Sequence, residues 1–221
     1  MTEKEIFELI KKRLCILREQ NTKPIRVAIN GIEGTGKTVF AGKLTEYLNS
    51  ENINALQVSI DGFHFNKEIR YRQGQNSAKG YYEDSYDELA FVEKVLMASQ
   101  AEIPTITEAT HNLETDEYLS VKPIEIPNKT VLITDGAYLF KPNYRDYWDL
   151  KIYLKTSFTV AMNRGVERDK DALGGTEATK AKFINRYHKA SQLYQQENNP
   201  EQLADIIINN SDFHQLKVIK I

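Results

Sequence analysis

Short apolar runs alternate with longer segments of helical periodicity along most of the chain. The short runs are rich in Val, Ile and Leu and have the length of buried strands. They cover residues 25–30, 55–60, 130–134, 150–154 and 205–209, and residues 216–221 suit a terminal edge strand. Apolar residues that recur every three or four positions predict helices over residues 2–19, 39–48, 87–99, 157–169 and 177–195. Strands that alternate with helices predict an α/β fold with a parallel sheet covered on both faces.

The first predicted helix is amphipathic and has its own start signal. Thr2 and Glu5 have the spacing of a capping box. The apolar positions of one face are Ile6, Leu9, Ile10, Leu14 and Leu17. We expect this N-terminal helix, within residues 1–22, to pack beside the main fold; binding of a partner protein is the alternative.

Two stretches interrupt the alternation of strands and helices. Residues 66–85 are polar and rich in Tyr, Arg and Gly, which predicts a long loop of the kind that is functional or mobile. Residues 103–127 contain two segments suited to extended chain, at 105–110 and 121–126, which predicts a small β-hairpin.

The sequence GIEGTGKT at residues 31–38 directly follows the first predicted strand and opens a predicted helix. It fits the phosphate-loop pattern of Gly, four residues, Gly, Lys and then Ser or Thr. Glycines allow backbone N–H groups to converge on phosphate oxygens, Lys37 would reach the β- and γ-phosphates, and the Thr38 hydroxyl would ligate Mg²⁺. The predicted nucleotide-binding residues are Gly31, Ile32, Glu33, Gly34, Thr35, Gly36, Lys37, Thr38 and Val39. A chance match in a glycine-rich turn is the alternative.

Two carboxylates stand at the ends of predicted strands. Asp61 follows the second strand, and Asp135 closes the strand at 130–134 in the position of a Walker B acid. Ligands of parallel α/β sheets lie at the carboxyl ends of the strands, so both carboxylates belong on the same rim as the phosphate loop. We predict that Asp135 holds Mg²⁺ through water and that Asp61 acts as a base or a metal ligand near the γ-phosphate. Turn residues at strand ends are the structural alternative for both.

Composition narrows the class of protein. At 221 residues, with 41% hydrophobic and 27% charged residues, the chain resembles an ordinary globular protein, and we expect one domain. The formal net charge of -2 argues against nucleic acid or a membrane as partner. The single cysteine, Cys15, excludes an internal disulfide and is expected to be a buried thiol. Charged residues interrupt every apolar run that could serve as a signal peptide or a membrane span, so we expect the protein to be located in the cytoplasm.

Several of these segments together resemble the uridine kinase and phosphoribulokinase group of phosphate-loop kinases, and more narrowly bacterial uridine kinase-like proteins. The matching pieces occur in the family's order between about residues 25 and 210. They are GIEGTGKT (31–38), SIDGFHF (59–65), YRQG (71–74) with KGYYEDSYD (79–87), TDGAYLF (134–140), RGVERD (164–169), RYHKASQLY (186–194) and ADIIINN (204–210).

The resemblance implies a three-layer α/β/α fold with a five-stranded parallel core, a lid near residues 164–177 and an accessory β-hairpin near the acceptor. It implies transfer of the γ-phosphoryl group of ATP to a hydroxyl group, with ATP and Mg²⁺ as cofactors. Asp61 matches the carboxylate that orients or deprotonates the acceptor. Arg164 and Arg168 match lid arginines that grip the transferring phosphates, whereas a salt-bridging surface is the alternative for this pair. Asp135 stands where related uridine kinases usually carry Glu.

The resemblance also suggests an acceptor site. His64, Tyr81, Tyr82 and His111 match positions that line the acceptor pocket in relatives, and Arg72 could touch a ribose or a phosphate. Ile106 stands where the uridine kinases have a base-contacting Tyr. The acceptor residues that we predict are therefore His64, Arg72, Tyr81, Tyr82 and His111.

The sequence thus predicts an ATP-dependent kinase for a small molecule, with a nucleoside such as uridine or cytidine as the leading acceptor. Pantothenate, a sugar or a phosphosugar is the alternative within the same chemistry. A nucleotide-dependent regulatory protein is the alternative outside it, and the lack of an NKxD sequence argues against a GTPase switch. Related enzymes are often dimers or tetramers, so a homo-oligomer is a further expectation.

Overall fold

The computed structural model describes residues 1–213 and 215–221. Its strands, in chain order, are β1 (Ile25–Asn30), β2 (Ala55–Ser59), β3 (Thr105–Ile106), β4 (His111–Asn112), β5 (Glu117–Tyr118), β6 (Ile124–Glu125), β7 (Val131–Gly136), β8 (Leu150–Lys155), β9 (Ile206–Asn209) and β10 (Lys217–Lys220). Six of them form the central sheet in the order β10-β9-β8-β1-β7-β2. Strands β9, β8, β1, β7 and β2 of this sheet run parallel to one another, and β10 is antiparallel to β9. The predicted α/β class with five parallel core strands is confirmed.

The α-helices are α1 (Glu3–Gln20), α2 (Lys37–Ser50), α3 (Lys67–Arg70), α4 (Ala78–Asp84), α5 (Glu88–Phe91), α6 (Phe158–Asp169), α7 (Thr176–Lys182), α8 (His188–Asn198) and α9 (Pro200–Leu203). A π-helical segment, Val92–Met97, and a 3₁₀ turn, Ala98–Gln100, continue α5. A second π-helical segment, Phe183–Tyr187, joins α7 to α8, so the helix predicted over 177–195 is nearly continuous. Further 3₁₀ turns lie at Ile60–Phe63 and Arg145–Tyr147.

Side chains from alternate faces of the central strands enter two separate hydrophobic cores. Val27 and Ile29 of β1 point into a core that includes Leu44 of α2. Ala28 points to the opposite core, where Tyr194 of α8 lies. Because successive side chains in a strand point to opposite faces, both faces of the sheet are buried, and the fold has three layers.

Helix α1 begins as its sequence predicts and packs on the core beside α2. The Thr2 and Glu5 capping box is present. Phe7, which the predicted apolar face did not include, is buried and packs edge-on against Phe40 with ring centroids 5.3 Å apart. The expectation of a buried thiol is wrong, because Cys15 is only partly buried on this helix.

One further sequence expectation is corrected by the structure. The stretch 66–85 is not one long loop, because it contains α3 and α4, which start at the side-chain caps Asn66 and Ser77. Leu89 and Val39 are apolar positions within the helices predicted over 87–99 and 39–48, yet they are 73% and 61% exposed, in the first turns of α5 and α2. In the part of the chain that the structure describes, no helix is long and apolar enough to cross a bilayer.

The excursion at 103–127 forms two short antiparallel ladders. Strand β3 pairs with β6, and β4 pairs with β5. Thr110 N donates to Gly62 O at 2.8 Å, which ties the excursion to the turn that follows β2. The two segments predicted to form a small β-hairpin, 105–110 and 121–126, thus pair through β3 and β6, and the excursion lies beside Asp61.

Candidate active site

The phosphate loop connects β1 to α2 with a backbone that requires glycine at two positions. Gly34 and Gly36 have φ of 83° and 93°, in the left-handed region. A Cβ atom on Gly34 would lie 2.1 Å from the carbonyl oxygen of Ala161, which leaves no room for a side chain. Lys37 is buried, and its Nζ donates to Ile32 O at 3.1 Å. The loop therefore curls around the lysine ammonium group, and contact of Lys37 with phosphates stays a prediction.

Polar residues outside the pattern anchor this loop, and the sequence analysis missed them. Asn210 Nδ2, at the end of β9, donates to Thr35 O at 2.7 Å. Gly31 N donates to Asn30 Oδ1 at 2.8 Å. Asn30 Nδ2 donates in turn to the Tyr194 hydroxyl at 2.5 Å. Asparagines at the carboxyl ends of two parallel core strands, Asn30 in β1 and Asn210 just after β9, are the sequence signal that could have located these anchors.

Thr38 and Asp135 form the side of the cleft suited to a metal ion. Thr38 Oγ1 donates to Asp135 Oδ2 at 2.6 Å, and Gln57 Nε2 donates to Asp135 Oδ1 at 2.8 Å. Asp135 is 1% exposed at the end of β7. A hydroxyl and a carboxylate oxygen in contact are the hard donors that Mg²⁺ takes alongside water. These residues therefore fit a hydrated Mg²⁺, although they do not enclose one.

Asp61 lies across the same cleft, on the 3₁₀ turn after β2. The cleft encloses about 110 Å³, and both aspartates line it together with Lys37 and Thr38. The Tyr86 hydroxyl donates to Asp61 Oδ1 at 3.0 Å. Asp61 is open to solvent from the cleft, yet the surrounding protein desolvates its carboxylate and raises its pKa. The charge of Glu33 raises this pKa further, whereas His64, Lys37 and the Tyr86 hydroxyl lower it.

The two predicted lid arginines lie in different places. Arg168 lines the cleft while its guanidinium forms a two-bond pair with Asp169, at 2.7 and 2.8 Å. Arg164 instead donates to Asn210 O at 2.7 Å and Ser211 O at 2.9 Å. Its guanidinium lies 3.5 Å from the centroid of the Phe213 ring. In this conformation Arg164 does not enter the phosphate cleft, and its role toward phosphate stays a prediction.

Arg164 and Phe213 belong to a second pocket, which opens beside the phosphate loop. This pocket has a volume of about 610 Å³ and is also lined by Gly34, Gly36 and Val39. A flat aromatic ring and a flat guanidinium that adjoin a phosphate loop form a surface on which a planar base can stack. Arg168 is followed by the turn between α6 and α7, in which Gly174 and Gly175 both have positive φ.

The five predicted acceptor residues divide into two groups. His64 and Tyr81 adjoin the cleft: His64 Nδ1 lies 2.8 Å from Asp61 O, and Tyr81 donates to Glu33 Oε1 at 3.0 Å. Burial lowers the pKa of His64, which favours the neutral imidazole.

Tyr82 is turned toward α8 and donates to Glu197 at 2.8 Å. Arg72 has a mostly exposed side chain and is paired with Asp84.

His111 is buried near the accessory strands with no hydrogen bond to either ring nitrogen from the residues that the structure describes. Its Nε2 lies 3.4 Å from Asp116 Oδ1, and that carboxylate oxygen accepts a bond from Arg70 Nη2 at 3.0 Å. His111 therefore retains unused hydrogen-bonding capacity. Tyr82 and Arg72 do not join it or His64 in one pocket.

Comparisons with known proteins agree with this geometry. The pattern of the Phosphoribulokinase / Uridine kinase family matches residues 26–212. A uridine kinase of Leuconostoc citreum is 26% identical over 157 residues, which are 70% of this chain and 72% of the relative.

Two solved structures share the fold. One is named "Possible Uridine Kinase", from Bacillus stearothermophilus, with a TM-score of 0.66 and 20% identity over 90% of this chain and 98% of that one. The other is a D-glycerate 3-kinase of Cryptococcus neoformans, with a TM-score of 0.64 and 15% identity over 98% of this chain and 99% of that one. The family match spans most of the chain and includes the phosphate loop and both aspartates, so this protein belongs to the phosphoribulokinase and uridine kinase family.

Proposed function

We propose that this protein is an ATP-dependent kinase that transfers the γ-phosphoryl group to a hydroxyl of a small molecule. The observation that supports this best is the cleft in which Lys37, the Thr38–Asp135 pair and Asp61 face one another. Phosphoryl transfer needs a phosphate cradle, charge neutralisation and a positioned nucleophile, and this cleft offers a residue for each.

In this proposal the triphosphate lies in the phosphate loop and the adenine base lies on Phe213. Loop N–H groups and the amino end of α2 would bind the phosphate oxygens. Lys37 would leave Ile32 O and reach the β- and γ-phosphates. The pocket of about 610 Å³ beside the loop is in the right place for the nucleoside part of ATP.

Thr38, Asp135 and Asp61 are the residues that would hold Mg²⁺, directly or through water. When bound, Mg²⁺ supplies charge neutralisation on the phosphate oxygens. Gln57 holds Asp135 in place through the 2.8 Å hydrogen bond to Oδ1. This bond leaves Oδ2 directed toward Thr38.

Asp61 is the proposed base that orients and deprotonates the acceptor hydroxyl. Tyr86 fixes one carboxylate oxygen and leaves the other for the acceptor. Desolvation of the carboxylate increases its affinity for a proton, which suits a base that accepts one during transfer. Arg168 would offset charge on the transferring group once it turns from Asp169.

Nucleosides are the first acceptors to test because the curated relatives are named uridine kinases. His64 and Tyr81 beside the cleft, and the unbonded His111, are the polar side chains that support a hydrogen-bonding acceptor. Ile106, which is buried, would offer only an apolar contact at the position to which the family resemblance assigns a base-contacting Tyr.

A coupled ADP-release assay with Mg-ATP tests the proposal. We expect a nucleoside from a panel of uridine, cytidine and purine nucleosides to stimulate ADP release. Turnover with only a sugar, phosphosugar or hydroxy acid would support the kinase assignment and reject a nucleoside as the acceptor. Tight ATP binding with no acceptor-stimulated turnover would contradict the kinase assignment and favour a nucleotide-dependent regulatory protein.

A further inference from the structure

Arg186 is a buried cation for which the described part of the chain supplies no ion-pair partner. It lies in the π-helical segment Phe183–Tyr187 and is 4% exposed. Its Nε atom is buried without a hydrogen-bond partner, and no carboxylate of the described residues forms an ion pair with its guanidinium. A buried charge without a partner carries an uncompensated desolvation cost.

Aromatic rings hold the Arg186 guanidinium but do not neutralise it. Its Cζ lies 4.7 Å from the ring centroid of Tyr81, 5.2 Å from that of Tyr71 and 5.8 Å from that of Tyr187. Cation–π contacts stabilise and orient a guanidinium, and its N–H donors remain free for a ligand. The arrangement therefore positions the guanidinium through aromatic rings and not through a carboxylate.

A second cation, Lys182, is the last residue of α7 and lies one turn before Arg186. Burial lowers the pKa of Lys182, the charges of Arg186 and Arg70 lower it further, and Asp169 opposes them. Asp169 already binds the guanidinium of Arg168 through two hydrogen bonds. Asp169, the acid that opposes the lowered pKa of Lys182, is thus already paired with another residue.

Both cations line a cavity of about 590 Å³ between α7 and the segment that joins α3 to α4. The opposite wall supplies the neutral amides of Gln75 and Asn76, and Asn185 adds a third amide. The described residues that line this cavity include no carboxylate. Two cations and three amide groups around an open space form a donor set for an anion.

We propose that this cavity binds an anionic group, a carboxylate or a phosphate, between Arg186 and Lys182. The anion belongs either to the acceptor itself or to a separate small anion that acts on the enzyme. This inference goes beyond the proposed kinase activity and does not depend on it.

Inorganic phosphate is the first probe, titrated by calorimetry into protein saturated with Mg-ADP so that the phosphate loop is already filled. We expect saturable binding to wild type that Arg186→Met weakens about 10- to 100-fold, the range for hydrogen bonds to a charged group. Lys182→Met should weaken it less, because one of the two cations remains. Lys189→Met is the matched control, since Lys189 lies three residues after Arg186, in α8, and is exposed.

Equal phosphate affinity in wild type and Arg186→Met would overturn the proposal, as would the lack of phosphate binding to wild type. Circular dichroism and an unchanged affinity for Mg-ADP establish that Arg186→Met is folded. If it is not folded, Lys182→Met decides, because this partly exposed side chain is removed at small structural cost.

The kinase assay then separates the two sources of the anion. If phosphate competes with a hydroxy acid or phosphosugar acceptor, and Arg186→Met raises the KM of that acceptor but not of ATP, the group belongs to the acceptor. If phosphate instead changes kcat with uridine while the KM for uridine is unchanged, the anion is a separate effector. Failure of every acceptor would reject the proposed kinase and leave the calorimetric result intact.

Discussion

Replacing Asp61 by Asn removes the proposed base with little change in shape. The Asn amide oxygen can still accept the 3.0 Å hydrogen bond from Tyr86, so the side chain keeps its position and loses its charge. General bases contribute about 10²- to 10⁴-fold to rate, which corresponds to roughly 3–5 kcal/mol in activation free energy. We expect kcat for phosphoryl transfer to fall within that range.

Binding of ATP should survive this substitution, because the phosphate loop and Lys37 are unchanged. The measurement pairs single-turnover transfer from radiolabelled ATP with the Kd of Mg-ATP from calorimetry. Tyr86→Phe is the graded control: it removes one hydrogen bond that lowers the pKa of Asp61 and should cost less than tenfold in kcat. An Asp61→Asn variant that turns over within threefold of wild type would refute the role of Asp61 as a base.

Three further outcomes follow from other parts of the structure. Lys37→Ala should reduce transfer by at least about 10²-fold with an unchanged melting temperature, and near wild-type turnover would contradict the phosphate-loop assignment. Phe213→Ala should raise the KM for ATP several-fold at constant kcat in steady-state kinetics, because it removes the ring under Arg164. An unchanged KM would show that the adenine base does not bind in this pocket. Burial lowers the pKa of His188, so the unfolded state binds more protons and the free energy of unfolding should fall as pH decreases below about 6.5. Urea denaturation of His188→Leu should show a shallower decline, and an identical pH dependence would exclude this group.

The phosphate loop and the two aspartates could be predicted because their positions follow from contiguous sequence. The loop is a local motif, and the carboxyl ends of parallel strands lie on one rim of the sheet regardless of the structure of the remaining chain. Thr38 and Asp135 accordingly meet at 2.6 Å, although they are 97 residues apart.

The position of Arg164 could not be predicted in this way. Helical spacing places Arg164 and Arg168 on one face of α6, but the carbonyl groups that bind Arg164 come from Asn210 and Ser211, 46 and 47 residues away. Those acceptors depend on where the chain leaves β9. Periodicity within a helix contains no such information.

Tyr81 and Tyr82 show a second limit. A loop would allow neighbouring residues to line one pocket, and the sequence predicted a loop here. In helix α4 successive side chains point about 100° apart. Tyr81 therefore reaches Glu33, whereas Tyr82 points in a different direction and reaches Glu197.

The hydrogen bond between Tyr81 and Glu33 connects the segment proposed for the acceptor with the loop proposed for the phosphates. Any ligand that draws either side chain away must break this bond, which contributes about 1 kcal/mol. If each of the two proposed ligands displaces this hydrogen bond, thermodynamic linkage requires that they change each other's affinity by the same factor, about fivefold for that energy. A single tyrosine hydroxyl would then set a measurable cooperativity between the proposed nucleotide and acceptor, whichever of them binds first.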